Sequence, residues 1–129
     1  MLILKRKNPH NSKRVEAQKR GKYAEQLASW FLRFKGYQIL VTNYKTSVGE
    51  IDLIAKRGNV LCFIEVKKRA SKSIAAHAIS SKQKARIIRA SELYLKQNSN
   101  YQILGKRFDA ILIGATVIPY HITNAWQSN

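Results

Sequence analysis

Four ionisable residues stand close together in this chain with spacing that could do chemistry: Glu50, Asp52, Glu65 and Lys67. They lie in the stretch G-E-I-D-L-I-A-K-R-G-N-V-L-C-F-I-E-V-K, Gly49 to Lys67. Two apolar runs flank Arg57-Gly58-Asn59, the signature of a β-hairpin. Taking Gly58 and Asn59 as the turn sets Asp52 opposite Glu65 and Glu50 opposite Lys67. Opposed residues share a face of the pleat, as do residues two apart, so all four converge on one face away from the turn. Asp52 and Glu65 supply the hard oxygen ligands that Mg²⁺ or Mn²⁺ takes, with water and a substrate phosphate free to complete the shell. Such a cation polarises a phosphoryl oxygen and lowers the pKa of a bound water, and Lys67 could position that water or stabilise the phosphate charge. A plainer reading stands beside this one: Glu50–Lys67 as an ordinary cross-strand ion pair, with Asp52 beginning a strand near solvent.

The elements that position these residues follow from the apolar pattern. The opposite face of the hairpin carries Ile51, Leu53, Cys62, Ile64 and Val66, and the acidic face continues through Ile54, Leu61 and Phe63. A hairpin apolar on both sides must be covered on both sides. From about Gly21 to Lys35 a helix is expected, its apolar face built from Tyr23, Leu27, Trp30, Phe31 and Phe34 and its end at Gly36. Glu25 falls at the edge of that arc and reads by pattern as a surface glutamate. Tyr37 to Tyr44 reads as a first strand, followed by hairpin strands near 50–57 and 60–68. Ser80 or Ser81 can cap a second helix ending near Gln97, with Ile87 or Ile88, Ser91, Tyr94 and Leu95 inward. Residues 107–113 and 116–122 read as the last two strands. The expected fold is α/β, a mixed sheet flanked by helices in the order α-β-β-β-α-β-β, as one domain over residues 21–129 preceded by a basic, flexible arm over residues 1–20.

Composition narrows the partner. The 129 residues carry 24 Lys and Arg against 7 Asp and Glu, a net charge of +17. That balance points to a polyanion, most simply nucleic acid. Lys82, Lys84, Arg86 and Arg89 make the second helix basic, and Lys68 and Arg69 follow the acidic hairpin directly. Each group reads either as a solvated face or as a phosphate-binding one. No apolar run nears the roughly 18 residues of a membrane span, and Met1-Leu2-Ile3-Leu4 is shorter than the ~7 residues of a signal core. A single Cys62 forms no internal disulfide, so a cytoplasmic protein without a membrane partner is expected. There is no Gly-rich phosphate loop and no Cys/His metal spacing. His10, His77 and His121 are scattered and read as surface or loop residues.

Asp52, twelve intervening residues and then Glu65-Val66-Lys67 resemble the D…ExK signature of the PD-(D/E)xK nuclease superfamily. More closely, G-E-I-D-L-I at 49–54 and F-I-E-V-K at 63–67 resemble the bacterial YraN-like family. Gly21 to Ala28 is similar to that family's G-x-x-[GA]-E-x-x-A helix, Gly36-Tyr37 and Asn43 to its first strand, Arg107-Phe108-Asp109 to its R-F-D strand, and Asn124-Ala125-Trp126 to its closing segment. The resemblance covers roughly residues 21–126. It implies a restriction-endonuclease-like fold related to archaeal Holliday-junction resolvases. It further implies a Mg²⁺- or Mn²⁺-dependent endonuclease acting on DNA, branched DNA included. By the same resemblance Asp52, Glu65 and Glu25 are metal ligands, Lys67 is catalytic, and Glu50 is a further ligand or the partner of Lys67. A homodimer is an analogy of the same kind. Two departures stand out: Ile74-Ala75-Ala76 replaces an aromatic-Gly pair, and Lys82-Gln83 lies one residue before the family's Lys-Gln. Two other functions compete: the same fold binding nucleic acid without turnover, and a small basic RNA-binding protein. Three acids within sixteen residues argue against the last.

Overall fold

A computed structural model describes the backbone of residues 9–68, 79–114 and 118–128, and side chains from residue 21 onward. The order is α1 (Pro9–Phe34), β1 (Gln38–Lys45), β2 (Glu50–Arg57), β3 (Val60–Lys68), α2 (Ser81–Gln97), a short 3₁₀ turn (Ser99–Tyr101), β4 (Gly105–Ile113) and β5 (Tyr120–Trp126). The strands form one mixed sheet in the order β1-β2-β3-β4-β5. All neighbours are antiparallel except β3 and β4, which run parallel because α2 carries the chain between them. This is the α/β arrangement expected from the apolar pattern.

The hairpin forms in the expected register. Gly58 takes the positive φ (57°) that a tight two-residue turn requires, and Arg57 pairs with Val60, Ala55 with Cys62 and Leu53 with Ile64. The two sheet faces bury separate cores. Ala28 and Leu32 of α1 pack on Leu53, Ala55, Cys62, Ile64 and Ile111. On the other face, Ile87, Ala90 and Tyr94 of α2 pack on Ile54, Leu61, Phe63 and Phe108. Ser80 caps α2, its Oγ accepting the Gln83 N–H at 3.1 Å.

Several boundaries and burials differ from the sequence pattern. Residues 9–20, read as part of an arm, are helical and belong to α1. The buried line of α1 is Ala24, Ala28 and Leu32, whereas Tyr23, Trp30 and Phe34 are exposed. Small alanines let the helix approach the sheet closely, and that contact, more than side-chain hydrophobicity, sets the buried face. α1 does end at Gly36 (φ 91°), with the Tyr37 N–H reaching Leu32 O at 2.9 Å and the Gly36 N–H reaching Arg33 O at 3.0 Å. The last strand runs from Tyr120 to Trp126, further on than 116–122; Pro119, with no N–H to donate, precedes its start.

His121, read as a surface residue, is half-buried as a residue, with its imidazole turned inside. Its Nε2 lies 2.8 Å from Oδ2 of Asp109, itself fully buried, and its Nδ1 lies 2.7 Å from Lys35 Nζ. An ammonium only donates, so Nδ1 accepts and Nε2–H donates to Asp109. Arg107 donates to both Asp109 oxygens at 2.8 Å, and the backbone N–H of Asn124, at φ 53°, adds a bond of 2.9 Å. Burial alone would raise the Asp109 pKa, but His121, Arg107 and Asn124 together hold it below the usual carboxylate range. The R-F-D segment thus locks β4 to β5 through a fully partnered buried charge.

Candidate active site

The two hairpin strands part at their acidic end. The β2–β3 ladder stops at Leu53–Ile64, before Asp52 and Glu65 or Glu50 and Lys67 come opposite one another. There the Asp52 carboxylate accepts the backbone N–H of Val66 at 2.8 Å, in place of a strand carbonyl. The face alternation of β2 also breaks at Asp52. Ile51 joins the α2-side core and Leu53 the α1-side core, although they are two residues apart. On β1, Thr42 pairs with Leu53 and Tyr44 with Ile51, so Asn43 falls beside Asp52, and it has a positive φ of 54°. This corrects the reading of Ile51 and Leu53 as one apolar face. The β1–β2 register is the same on either side of Asn43, its one shift lying between Ile39 and Val41, so the left-handed residue stands beside the break in alternation while the strands that part next to the acids are β2 and β3.

Asp52 and Glu65 share a cleft of about 390 Å³ with Glu50, Lys82, Gln83 and Arg86 among its walls. Asp52 is half-buried and Glu65 buried. Burial first, then the negative charge of Asp52, pushes the Glu65 carboxyl up to about 8, with Lys67 opposing. Burial likewise raises Asp52, against the Val66 N–H and the contacts to Glu65 and Lys67. Glu25, reaching across from α1, is raised by burial and then by Asp52, within hydrogen-bonding range of it, while Lys45 lowers it. Asp52 thus stands between Glu25 and Glu65, and burial first holds all three carboxyls above their ordinary values.

Cationic and polar neighbours offset part of this. Lys67 Nζ lies 3.3 Å from Glu65 Oε1, so its ion pair is with the acid two residues before it and not with Glu50 as the opposition in the hairpin suggested. Gln83 Nε2 donates to the same oxygen at 2.6 Å. Sequence reasoning missed this residue as a site member. The signal was present in Ser80-Ser81-Lys82-Gln83, a capping-box pattern whose glutamine would normally turn back to the cap but here points at the acid. Glu50 is exposed on the cleft wall, and Lys45 pairs with it across β1–β2.

The basic residues divide. Lys82 and Arg86 line the acidic cleft. Arg89 faces a second groove beside Val48 and Leu93, and Lys84 is half-buried on α2. Lys68 is exposed at the end of β3, near Gly21 of α1. Arg69 and the segment Ile74-Ala75-Ala76 lie outside the described residues, as does His77. Cys62 is buried and its thiol is pushed up to about 11 by burial, which suits a core residue and not a nucleophile.

Among the described residues, no three His, Cys, Asp or Glu side chains are gathered closely enough, as they stand, to hold a metal ion between them. The donor chemistry nevertheless fits a hard cation. Mg²⁺ keeps most of its waters and takes one or two carboxylates, which Asp52 and Glu65 provide in contact.

An α/β sheet parted at one end around a carboxylate cleft, with cations at the rim, is the class of site this chain presents. Residues 24–113 match the Uncharacterised protein family UPF0102. The chain is 39% identical over 127 residues to a UPF0102 protein of Rhodopseudomonas palustris (strain HaA2), covering 98% of this chain and 99% of that one. It is 43% identical over 110 residues to a UPF0102 protein of Bartonella tribocorum, covering 85% of each. The protein belongs to the UPF0102 family, the YraN-like family its motifs resemble. Among the described residues no helix is long and apolar enough to cross a membrane.

Proposed function

We propose that this protein is a divalent-cation-dependent nuclease that hydrolyses DNA phosphodiester bonds in the cytoplasm. The observation that carries the reading is the contact of Asp52 with Glu65 in one cleft, flanked by Lys67 and rimmed by Lys82 and Arg86. Asp52 and Glu65, joined by Glu25 across the helix–sheet gap, are the residues that would hold Mg²⁺ or Mn²⁺. Bound there, the cation supplies Lewis-acid polarisation of a phosphate and a lowered pKa for a coordinated water. Lys67 sits where it can orient the attacking water or meet charge developing on the phosphate. Gln83 fixes the Glu65 carboxylate through its 2.6 Å bond. Lys82 and Arg86 draw the backbone into the cleft, and the net charge of +17 drives the encounter. The resemblance to PD-(D/E)xK nucleases and resolvases supports the same chemistry and extends it to branched DNA and a homodimer.

The test is cleavage of linear duplex, single-stranded and four-way-junction DNA with Mg²⁺ or Mn²⁺, comparing wild type with Asp52→Asn. Cleavage by wild type, lost in the variant and in EDTA, is expected. A second reading has one observation in its favour: Lys67 and Gln83 already engage Glu65, so the cleft is partly neutralised without a cation. On that reading the protein binds nucleic acid without turnover, and no DNA is cut under any of these conditions.

A further inference from the structure

The three large aromatics that α1 leaves outside the core share a helix with Lys22 and Arg33. Tyr23 is 64% exposed, Trp30 68% and Phe34 92%. Trp30 forms one wall of a trough of about 520 Å³ between α1 and the edge strand β1, with Lys22, Arg33, Thr42, Asn43 and Glu25 among the other walls. The Arg33 guanidinium lies over the Trp30 ring, 5.7 Å from its centre. Glu25 lines this trough and interacts with Asp52, which lines the acidic cleft, so a single pair of carboxyls stands between the two. Trp30 lies five residues further along the helix, a rise of ~7.5 Å.

We infer that this trough is a stacking platform for unpaired nucleotides, and that the strand held in the acidic cleft is single-stranded where it crosses α1. The inference rests on the nucleic-acid reading of that cleft and names the form of its substrate. Exposed rings beside cations, one carboxyl pair away from a phosphate-handling site, are what single-strand binders present. The ring accepts a base face of any sequence while the cations track the backbone. A second copy of the chain is the competing occupant, and charge argues against it. A two-fold interface would bring Lys22 and Arg33 of one +17 chain against the same residues of another, whereas protein interfaces are depleted of charge at their centres. A base paired within a duplex presents no free face to Trp30, so the platform discriminates between strand forms.

The test is titration of the full chain in EDTA, where no cleavage occurs, with an oligothymidylate and with a duplex of equal length. Tryptophan emission and affinity are read together. Oligothymidylate is expected to quench wild-type emission. Trp30→Ala should weaken oligothymidylate binding about tenfold, within the range for loss of one base–aromatic stack, and leave duplex affinity within about twofold. Trp30→Phe should keep most of the affinity and lose most of the quench, because the ring remains but the reporter is gone. The inference is overturned if oligothymidylate binds without quenching, or if Trp30→Ala weakens both ligands equally. It is also overturned if Trp30→Ala leaves both affinities unchanged while shifting sedimentation from dimer to monomer. Absence of cleavage with Mg²⁺ or Mn²⁺ would remove the nuclease reading alone, since binding in EDTA does not depend on turnover.

Discussion

The carboxylate of Asp52 takes the backbone N–H of Val66 at 2.8 Å, at the point where β2 and β3 stop pairing. One side chain therefore both ends the ladder and stands in the acidic cleft. The two roles separate by mutation. Asn keeps an acceptor for Val66 and removes the charge; Ala removes both. In EDTA, Asp52→Asn should melt at or above the wild-type temperature, while Asp52→Ala should lose ~1–3 kcal/mol from an orphaned N–H. Chemical denaturation of the three proteins at neutral pH checks this. Equal losses in both variants would mean that charge, not the hydrogen bond, holds the strands at this end.

Glu65 gives the metal-free protein a defined pH dependence. Its folded-state pKa is raised to about 8 from an ordinary 4.5, by burial and then by Asp52. Between those values the folded protein holds a proton that the unfolded chain releases, so stability is present at low pH and falls as pH rises. Asp109, depressed by its partners, works the other way and is lost only as pH falls below the ordinary range. Melting in EDTA should therefore decline from about pH 5 to about pH 8. Glu65→Gln, neutral at every pH and still an acceptor for Gln83, should flatten that decline. An unchanged slope in the variant would show that Glu65 is ionised throughout.

Gly49 holds the β1–β2 turn against α2. Thr46 Oγ1 donates to Gly49 O at 2.7 Å and accepts its N–H at 3.1 Å, and a Cβ on Gly49 would run into the backbone carbonyl of Arg86. Backbone cannot yield as a flexible side chain can, so Gly49→Ala must push α2 off the sheet at the cleft wall. A loss of ~1–3 kcal/mol is expected. The Gln83–Glu65 bond should loosen with it, so the pH slope assigned to Glu65 should change too. A stable variant with an unchanged pH profile would contradict the close approach.

The rim cations and the remaining α2 cations should differ in nucleic-acid binding. Lys82 and Arg86 line the acidic cleft, whereas Arg89 faces another groove. Each phosphate contact contributes ~0.9 to the slope of log affinity against log salt. Replacing Lys82 and Arg86 by Ala should flatten that slope by ~2, and Arg89→Ala should leave it unchanged. Equal effects from all three would show diffuse attraction without a path into the cleft.

Between Leu53 and Ile64 the hairpin was legible in the sequence because turn chemistry and a two-residue period both specify it. Gly58 can adopt the positive φ, and a one-residue slip would have put Leu53 and Ile64 on the wrong face. The cap at Ser80 and the stop at Gly36 were legible for the same local reason. What escaped depends on tertiary contact. Tyr23, Trp30 and Phe34 looked like the core of α1, yet Ala24, Ala28 and Leu32 took that place, since periodicity marks an apolar arc but not how near the sheet comes. His121 looked isolated because its partners Asp109 and Lys35 are distant in the chain. Within the site, the proximity of Asp52 and Glu65 followed from the hairpin. Glu25 entered by resemblance alone, and Gln83 was hidden behind a capping-box pattern that its side chain does not fulfil. The break in face alternation at Asp52, beside the left-handed Asn43 of the neighbouring strand, could not be foreseen from a two-residue period, which assumes unbroken alternation.

The most direct measurement is the melting temperature of wild type and Asp52→Asn with and without Mg²⁺ or Mn²⁺. A ligand bound only by the folded state stabilises it by ~2.7 kcal/mol at one hundred times its dissociation constant. If the raised carboxyls of Asp52, Glu65 and Glu25 form a cation site, wild type should melt higher with the metal. Asp52→Asn should show no such rise while being at least as stable as wild type in EDTA. If metal leaves wild type unchanged and Asp52→Asn is destabilised, Lys67 and its neighbours already neutralise the acids, and the cation-dependent nuclease is contradicted.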